Sequence, residues 1–187
     1  MADGESLHIG IDFNVGKMAG IVHILRDGDP RAVEEIINAY DTPDMIRQIR
    51  ERYWRHNGSD WQKTREIRVY PDASGGSRKS VNASETDIAL LRAAGFVVIA
   101  PTANPPVKDR INAMNAMFCN ALGVRRYKVN AKTCPTYADH LEQQVWAANG
   151  EPDKASGTDH TNDAGGYVIH RLFPLVKPLM SLPFRLP

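Results

Sequence analysis

The sequence has few cysteines and no long apolar run, and both absences narrow the classes of protein it can represent. Its 187 residues include only two cysteines, Cys119 and Cys134, which supply neither a disulfide framework nor a Cys-x-x-Cys metal clip. No apolar stretch approaches the roughly 18 residues that a membrane span requires. The first residues, "MADGESLH", lack the basic and then apolar layout of a signal peptide. We therefore expect a cytosolic protein with no membrane partner.

An excess of charge of either sign is also missing, because the formal net charge is +1. Basic residues nevertheless gather in three stretches, at 47–56, 76–80 and 123–128. A basic surface around an acidic centre suits a metal-dependent enzyme that acts on nucleic acid, since the phosphate groups must first be attracted. Three unrelated solvent-exposed faces would give the same composition, so charge alone leaves the two interpretations equal.

The hydrophobic pattern predicts one α/β domain. Alternating apolar residues indicate a strand at 7–13, and residues 18–25 form the returning strand of a hairpin. The pattern at 31–40 fits a strand or a helix, and its position after the hairpin favours a third antiparallel strand. The later elements are predicted to be a helix between Thr42 and Gly58, a strand at 67–72, a helix at 85–94, a strand at 96–100, helices at 106–121 and 135–148, a short strand at 126–130, and a helix from Asp159. Hairpin strands followed by alternating helices and strands predict a mixed sheet with helices on both faces.

Several details of these elements are expected as well. Thr42 is expected to cap the first helix, and Ser84 with Asp87 to form a capping box for the second. The continuous apolar run at 96–100 predicts a strand covered on both faces. Leu122 is expected on the inner face of the helix at 106–121, and Val145 and Trp146 within the helix at 135–148.

Three aspartates lie at the ends of predicted elements. Asp12 ends the first strand, Asp72 follows the fourth, and Asp163 lies in the first turns of the last helix. Ligand sites of open α/β sheets gather where neighbouring strands finish, so the three carboxylates would meet if the first and fourth strands are neighbours. Each residue alone is at least as well explained as a turn residue or a first-turn helix acid.

A cluster of three carboxylates is tolerable when divalent cations neutralise it. Oxygen ligands without a cysteine cluster indicate Mg²⁺ or Mn²⁺ rather than zinc, and two such ions can catalyse phosphodiester hydrolysis. Asp159 lies four residues before Asp163, on the same helical face, and is an N-cap, an outer group or an alternative metal ligand. His160 either orients a water molecule or lies on the surface.

Taken together, five stretches resemble the nuclease domain of the large terminase subunit of tailed bacteriophages. They are "IGIDFNVGK", "VYPDASGGSRKS", "LLRAAGFVV", "NPPVKDRINAMNAMF" and "DHTNDAGGY", and the resemblance extends from residue 7 to about residue 170. It implies a ribonuclease H-like fold and a two-metal endonuclease that cuts concatemeric double-stranded viral DNA during packaging. Carried over residue by residue, it implies that Asp12, Asp72 and Asp163 are the catalytic and metal-binding residues.

The resemblance also implies a larger assembly. A complete large terminase carries an amino-terminal ATPase motor, but no Gly-x-x-x-x-Gly-Lys-Ser/Thr loop occurs here. We therefore expect residues 1–187 to be a single nuclease domain from a longer chain, with a core at 7–172 and a tail at 173–187. The implied partners are the motor domain, the small terminase subunit and the portal, at the procapsid in the host cytoplasm.

Other functions fit parts of the same pattern. Another nuclease of this fold, such as a resolvase or transposase core, would use the same acidic residues. An actin- or sugar-kinase-like ATPase also begins with a strand, an aspartate and a glycine turn, but normally needs two related subdomains. A non-catalytic DNA-binding module would need only the basic residues. The basic residues predicted to hold the DNA backbone are Arg78, Lys79, Arg125 and Arg126.

Overall fold

Three strands open the chain, and helices and shorter strands follow them. The computed structural model describes residues 4–14, 16–76, 86–148 and 151–175. The strands are β1 (Leu7–Asp12), β2 (Met18–Arg26), β3 (Asp29–Ala39), β4 (Arg55–His56), β5 (Trp61–Gln62), β6 (Ile67–Pro71), β7 (Val97–Val98) and β8 (Lys128–Val129). The helices are α1 (Thr42–Tyr53), α2 (Asp87–Ala93), α3 (Val107–Phe118), α4 (Pro135–Gln143) and α5 (Asp159–Leu172), with a 3₁₀ turn at Ala73–Gly76.

Six of these strands form one mixed sheet in the order β7-β6-β1-β2-β3-β8, as the sequence predicts for this fold class. The pairs β1–β2 and β2–β3 are antiparallel, whereas β1–β6, β6–β7 and β3–β8 are parallel. The first and fourth predicted strands, β1 and β6, are therefore neighbours. Strands β4 and β5 form a separate small hairpin that the sequence pattern did not reveal.

The sheet is covered on both faces, and the alternation of β1 decides which residues face which layer. Leu7, Ile9 and Ile11 pack into a core with Met45 and Ile49 of α1. The second core contains α3, α4 and α5 residues, and comprises Ala19, Ile21, Ala32, Ala113, Met114, Met117, Tyr127, Cys134, Tyr137, Ala164 and Ile169. In the described ranges, no helix combines the length and apolar character needed to cross a membrane.

Two helix starts differ from the sequence prediction. Asp41, not Thr42, caps α1, because its carboxylate accepts from the Asp44 amide at 2.8 Å while Thr42 is already helical and buried. Helix α2 begins at Asp87 behind Thr86, whose side chain accepts from the Ala89 amide. Ser84 lies outside the described residues.

Several predicted elements are shorter than the apolar pattern indicated. The run at 96–100 forms only the two-residue strand β7 at the edge of the sheet, with Val97 exposed, so the prediction of a strand covered on both faces is wrong. Leu122 is 87% exposed beyond the end of α3. Helix α4 ends at Gln143, so Val145 and Trp146 are exposed outside it. Hydrophobicity alone misassigned Leu122, Val145 and Trp146, because it does not show where a helix ends.

Candidate active site

Three carboxylates lie at the edge of the sheet where β1 and β6 end. Asp12 is the last residue of β1, and Asp72 follows β6 directly. Because β1 and β6 are parallel neighbours, the two strands end side by side. The Asp72 amide donates a hydrogen bond to the Ile11 carbonyl at 3.2 Å. Asp163 reaches this edge from α5, which packs across β1. The fold thus brings together the three acids that the sequence singled out.

Gly10 allows α5 to approach β1 this closely. A Cβ atom at Gly10 would lie 1.8 Å from the carbonyl oxygen of Ala164, a contact that no side chain can make. Gly10 belongs to the face of β1 that also carries Asp12, and Ala164 is the residue after Asp163. The missing side chain therefore determines how near the Asp163 backbone lies to Asp12.

The charges of the neighbouring acids act on Asp12. Burial and the carboxylate of Asp163 raise the pKa of Asp12 to about 6, and Asp72 adds to the rise, while the hydrogen bond from His160 opposes it. Burial also raises the pKa of Asp163, against the nearby Arg110 guanidinium. The effect of Asp163 and Asp72 on Asp12 indicates that the three carboxylates lie close together in a poorly solvated place.

A histidine and an amide hold the Asp12 carboxylate. His160 Nδ1 lies 2.9 Å from Asp12 Oδ2, and Asn14 Nδ2 lies 2.8 Å from His160 Nε2. If the Asn14 amide donates to Nε2, the proton of the neutral ring is on Nδ1 and is donated to Asp12. His160 therefore orients a site carboxylate in this structure instead of lying free on the surface.

The other two carboxylates have partners of their own. Asp72 Oδ1 accepts from the Ser74 amide at 2.7 Å and from the Ser74 hydroxyl at 2.6 Å. Asp163 Oδ1 accepts a hydrogen bond from Nη2 of Arg110, a side chain only 4% exposed. Each acid of the site is thus stabilised by a different donor.

Asp159 adds a fourth buried carboxylate at the start of α5. Its Oδ1 has no hydrogen-bond partner within the described part of the chain, and it lies 3.9 Å from His160 Nε2. Thr158, not Asp159, is the residue that precedes the helix as its N-cap. Among the described residues, no three His, Cys, Asp or Glu side chains are grouped closely enough to hold one metal ion.

The predicted DNA-binding residues are placed differently. Arg126 donates to Asp29 Oδ1 at 2.7 Å, at the edge of the sheet opposite the acids, and Arg125 is exposed beside it. DNA bound at the acidic site would have to extend across the sheet to contact them. Arg78 and Lys79 lie outside the described residues. The role of all four in DNA binding stays a prediction.

Sequence reasoning missed Asn14, Ser74 and Arg110. Asn14 and Ser74 each lie two residues after a predicted acid, so their proximity is a local signal that could have been used. Arg110 had no such signal, because its partner Asp163 is 53 residues away. A basic residue among the apolar positions of α3 was the only trace.

The mixed sheet with acids at the carboxyl ends of neighbouring strands defines an α/β domain of the ribonuclease H-like class. Residues 9–172 match the family described as the terminase RNaseH-like domain, and the chain belongs to this family. The resemblance to large-terminase nuclease domains is thereby confirmed. Among curated proteins, none matches the chain.

Solved structures show the same fold. The nuclease domain of the P22 large terminase superposes with a TM-score of 0.64 at 16% identity, covering 93% of this chain and 85% of that one. The nuclease domain of the bacteriophage SPP1 large terminase, with bound Mn, gives 0.58 at 16% identity, with coverages of 90% and 87%. The large terminase of a thermophilic bacteriophage gives 0.63 at 19% identity. That match covers 91% of this chain but only 40% of the thermophilic phage protein.

Proposed function

We propose that this chain is a divalent-metal-dependent endonuclease that cuts concatemeric double-stranded viral DNA during genome packaging. The observation that carries the proposal is the convergence of Asp12, Asp72 and Asp163 at one sheet edge, close enough for their charges to raise the pKa of Asp12. Membership of the terminase family favours this function over a resolvase, a transposase core or a kinase-like ATPase. The Mn bound to the SPP1 nuclease domain favours metal dependence.

The side chains at the site fit a hard divalent cation such as Mg²⁺ or Mn²⁺. The acids offer only oxygen donors, and the buried Asp159 Oδ1 has no hydrogen-bond partner among the described residues. A buried carboxylate oxygen without a donor is costly, and a cation would compensate it. In the present arrangement Arg110 contacts Asp163 through Oδ1 and His160 contacts Asp12 through Oδ2, so each contact uses one of the two carboxylate oxygens.

Each residue has a definite task in this proposal. Asp12, Asp72 and Asp163 would hold the ions, with Asp159 as an alternative ligand. Bound divalent ions supply an activated water and stabilise the leaving oxygen of the phosphodiester. His160 keeps the Asp12 carboxylate oriented, and Asn14 fixes the ring tautomer that allows it.

The test is nicking of supercoiled plasmid DNA by the purified chain with Mn²⁺ or Mg²⁺, with EDTA as the metal-free control. Asp72→Asn removes a charged ligand at nearly constant size and should lower the rate by at least about 100-fold. Asp60→Asn is the matched control, because Asp60 is an exposed acid in the turn between β4 and β5. Full activity of Asp72→Asn, or cleavage that persists in EDTA, would refute the proposal.

The assembly around the domain is part of the same proposal. The chain spans 40% of the large terminase of the thermophilic bacteriophage, and the sequence contains no phosphate-binding loop of its own. We infer that an ATPase motor domain, the small terminase subunit and the portal act with it at the procapsid in the host cytoplasm. Mixing the chain with a purified motor domain should change its cleavage rate if the motor restrains cutting.

A further inference from the structure

Arg110 places a buried positive charge directly beside the acids. Its side chain is 4% exposed and forms an ion pair with Asp163 through Nη2 and Oδ1. Burying a charge is costly unless an opposite charge and hydrogen bonds compensate it, so the two side chains depend on each other. Lys154, a second basic residue near Asp163, is exposed, and solvent screens its charge.

The surface of α5 is shaped to receive this arginine. A Cβ atom at Gly166 would lie 2.9 Å from Cγ and Cδ of Arg110, so only glycine leaves room for the stem of the side chain. The guanidinium carbon lies 4.7 Å from the ring centroid of Tyr167. Asp163, Gly166 and Tyr167 occupy one face of α5, at spacings of three and four residues. Arg110 is therefore held along its whole length.

This arrangement has a consequence for cation binding. A divalent cation that approaches Asp163 meets the positive charge of Arg110 together with the negative charges of the acids. In addition, the hydrogen bond from Arg110 takes up part of the acceptor capacity of Asp163 Oδ1 and fixes the orientation of the carboxylate. The described residues contain no group of three ligating side chains around one point, which agrees with an Asp163 carboxylate held by its arginine partner.

We propose that Arg110 is a built-in counter-ion that competes with a divalent metal ion for Asp163 and so sets the metal concentration at which the site is loaded. This inference rests on the metal-dependent function proposed above. Arg110 is a positioning residue here, because it acts through Asp163. Removing its charge leaves a more negative site that binds divalent cations more tightly, whereas a residue that only supports packing would leave the affinity unchanged.

The test measures Mn²⁺ binding to the metal-free protein, without DNA, from the electron paramagnetic resonance signal of free Mn²⁺. Arg110→Met removes the charge and keeps an apolar stem, and its dissociation constant should be at least about tenfold lower than that of the wild type. Arg110→Lys keeps the charge and should stay within about threefold of the wild type. Arg110→Gln is a second charge-free variant, for use if Arg110→Met does not fold. The same decrease in the dissociation constant is expected of it.

Arg126→Gln is the matched control for metal affinity. Arg126 also pairs with an acid, Asp29, and its guanidinium carbon lies 5.4 Å from the ring centroid of Phe173. It does so at the opposite edge of the sheet, so Mn²⁺ affinity should not change. A double variant tests whether Arg110 acts through Asp163. In the Asp163→Asn background, Arg110→Met should alter the Mn²⁺ affinity by less than about threefold.

The outcomes separate this inference from the function on which it rests. If the wild type binds Mn²⁺ and both charge-free variants bind it equally well or more weakly, the inference is overturned and the proposed function is not. An equally large gain in the Asp163→Asn background also overturns it, because the effect would then not pass through Asp163. If neither the wild type nor any Arg110 variant binds Mn²⁺, the metal-dependent function fails and the inference with it. Tighter binding that requires Asp163 supports both.

Discussion

Asp12→Asn should make the metal-free protein more stable at neutral pH, although it removes a residue of the proposed catalytic site. The carboxylate of Asp12 is buried beside Asp163 and Asp72, and its pKa rises from 3.8 to about 6. A shift of this size corresponds to an unfavourable contribution of about 3 kcal/mol to the free energy of unfolding when the group is charged. Asparagine removes the charge and still offers an oxygen to the Nδ1 proton of His160.

The pH dependence follows from the direction of the shift. Between about pH 4 and pH 6 the folded state binds more protons at Asp12 than the unfolded state does, since its folded pKa is higher. The contribution of Asp12 to stability therefore falls as the pH rises through this window. Above it the full penalty remains, and below it the protonated acid resembles asparagine. The variant should gain stability over the wild type only as the pH rises from about 4 to above 6.

Thermal unfolding in EDTA measures this difference. At about pH 7.5 the Tm of Asp12→Asn should exceed that of the wild type by about 6 to 12 °C, because 1 kcal/mol corresponds to about 2–4 °C in a domain of this size. At about pH 4 the two Tm values should nearly coincide. Asp60→Asn, which replaces an exposed acid, should show no such pH-dependent gain. An equal or lower Tm of Asp12→Asn at neutral pH would show that the three acids do not form one repelling cluster.

Three further predictions concern packing, metal and DNA. Gly10→Ala should lower the free energy of unfolding by about 1–3 kcal/mol, because its Cβ atom would meet the Ala164 backbone. Gly20→Ala should cost less, because its Cβ atom would meet side chains, at 3.3 Å from the Met45 sulfur and 3.6 Å from the Ile36 Cβ atom. Equal melting curves of the two variants would contradict this. Mn²⁺ at about 100 times its dissociation constant should stabilise the wild type by about 2.7 kcal/mol in thermal unfolding, reversibly with EDTA, and no shift would count against a metal site. Replacing Arg125 and Arg126 with glutamine should weaken DNA binding. The slope of the logarithm of the binding constant against the logarithm of the salt concentration should fall by about 1 for each phosphate group that the variant no longer neutralises. An unchanged slope would show that the DNA binds elsewhere.

The strands that position the site were readable from the sequence because their signal is local. The alternation of Ile9 and Ile11 with Gly10 and Asp12 has the period of a strand, and a single turn joins it to β2. The pairing of β1 with β6 was only conditional, since it joins residues far apart in the chain and depends on which strands share the sheet. The fold class determines the pairing of β1 with β6, and this pairing brings Asp12 and Asp72 together.

The wrong predictions concern positions at which tertiary structure, and not local hydrophobicity, decides whether a residue is buried. Leu122 and Trp146 continue the apolar stripes of α3 and α4 in sequence, but the helices end before them and both side chains are mostly exposed. Thr42 has good capping chemistry, and Asp41 takes that position because the helix begins one residue earlier than expected. Helix ends depend on single hydrogen bonds, which composition does not specify.

Packing and electrostatics at this site depend on the same helix. Gly10 brings the backbone of α5 against β1, and Gly166 lets the stem of Arg110 lie on the other side of α5. The first contact brings Asp163 towards Asp12, which raises the repulsion among the acids, and the second brings the cation that offsets part of it. Tight packing of α5 would therefore be unstable without a charge partner for Asp163. The protein can stay folded with its acids assembled because Arg110 contacts Asp163 and His160 contacts Asp12.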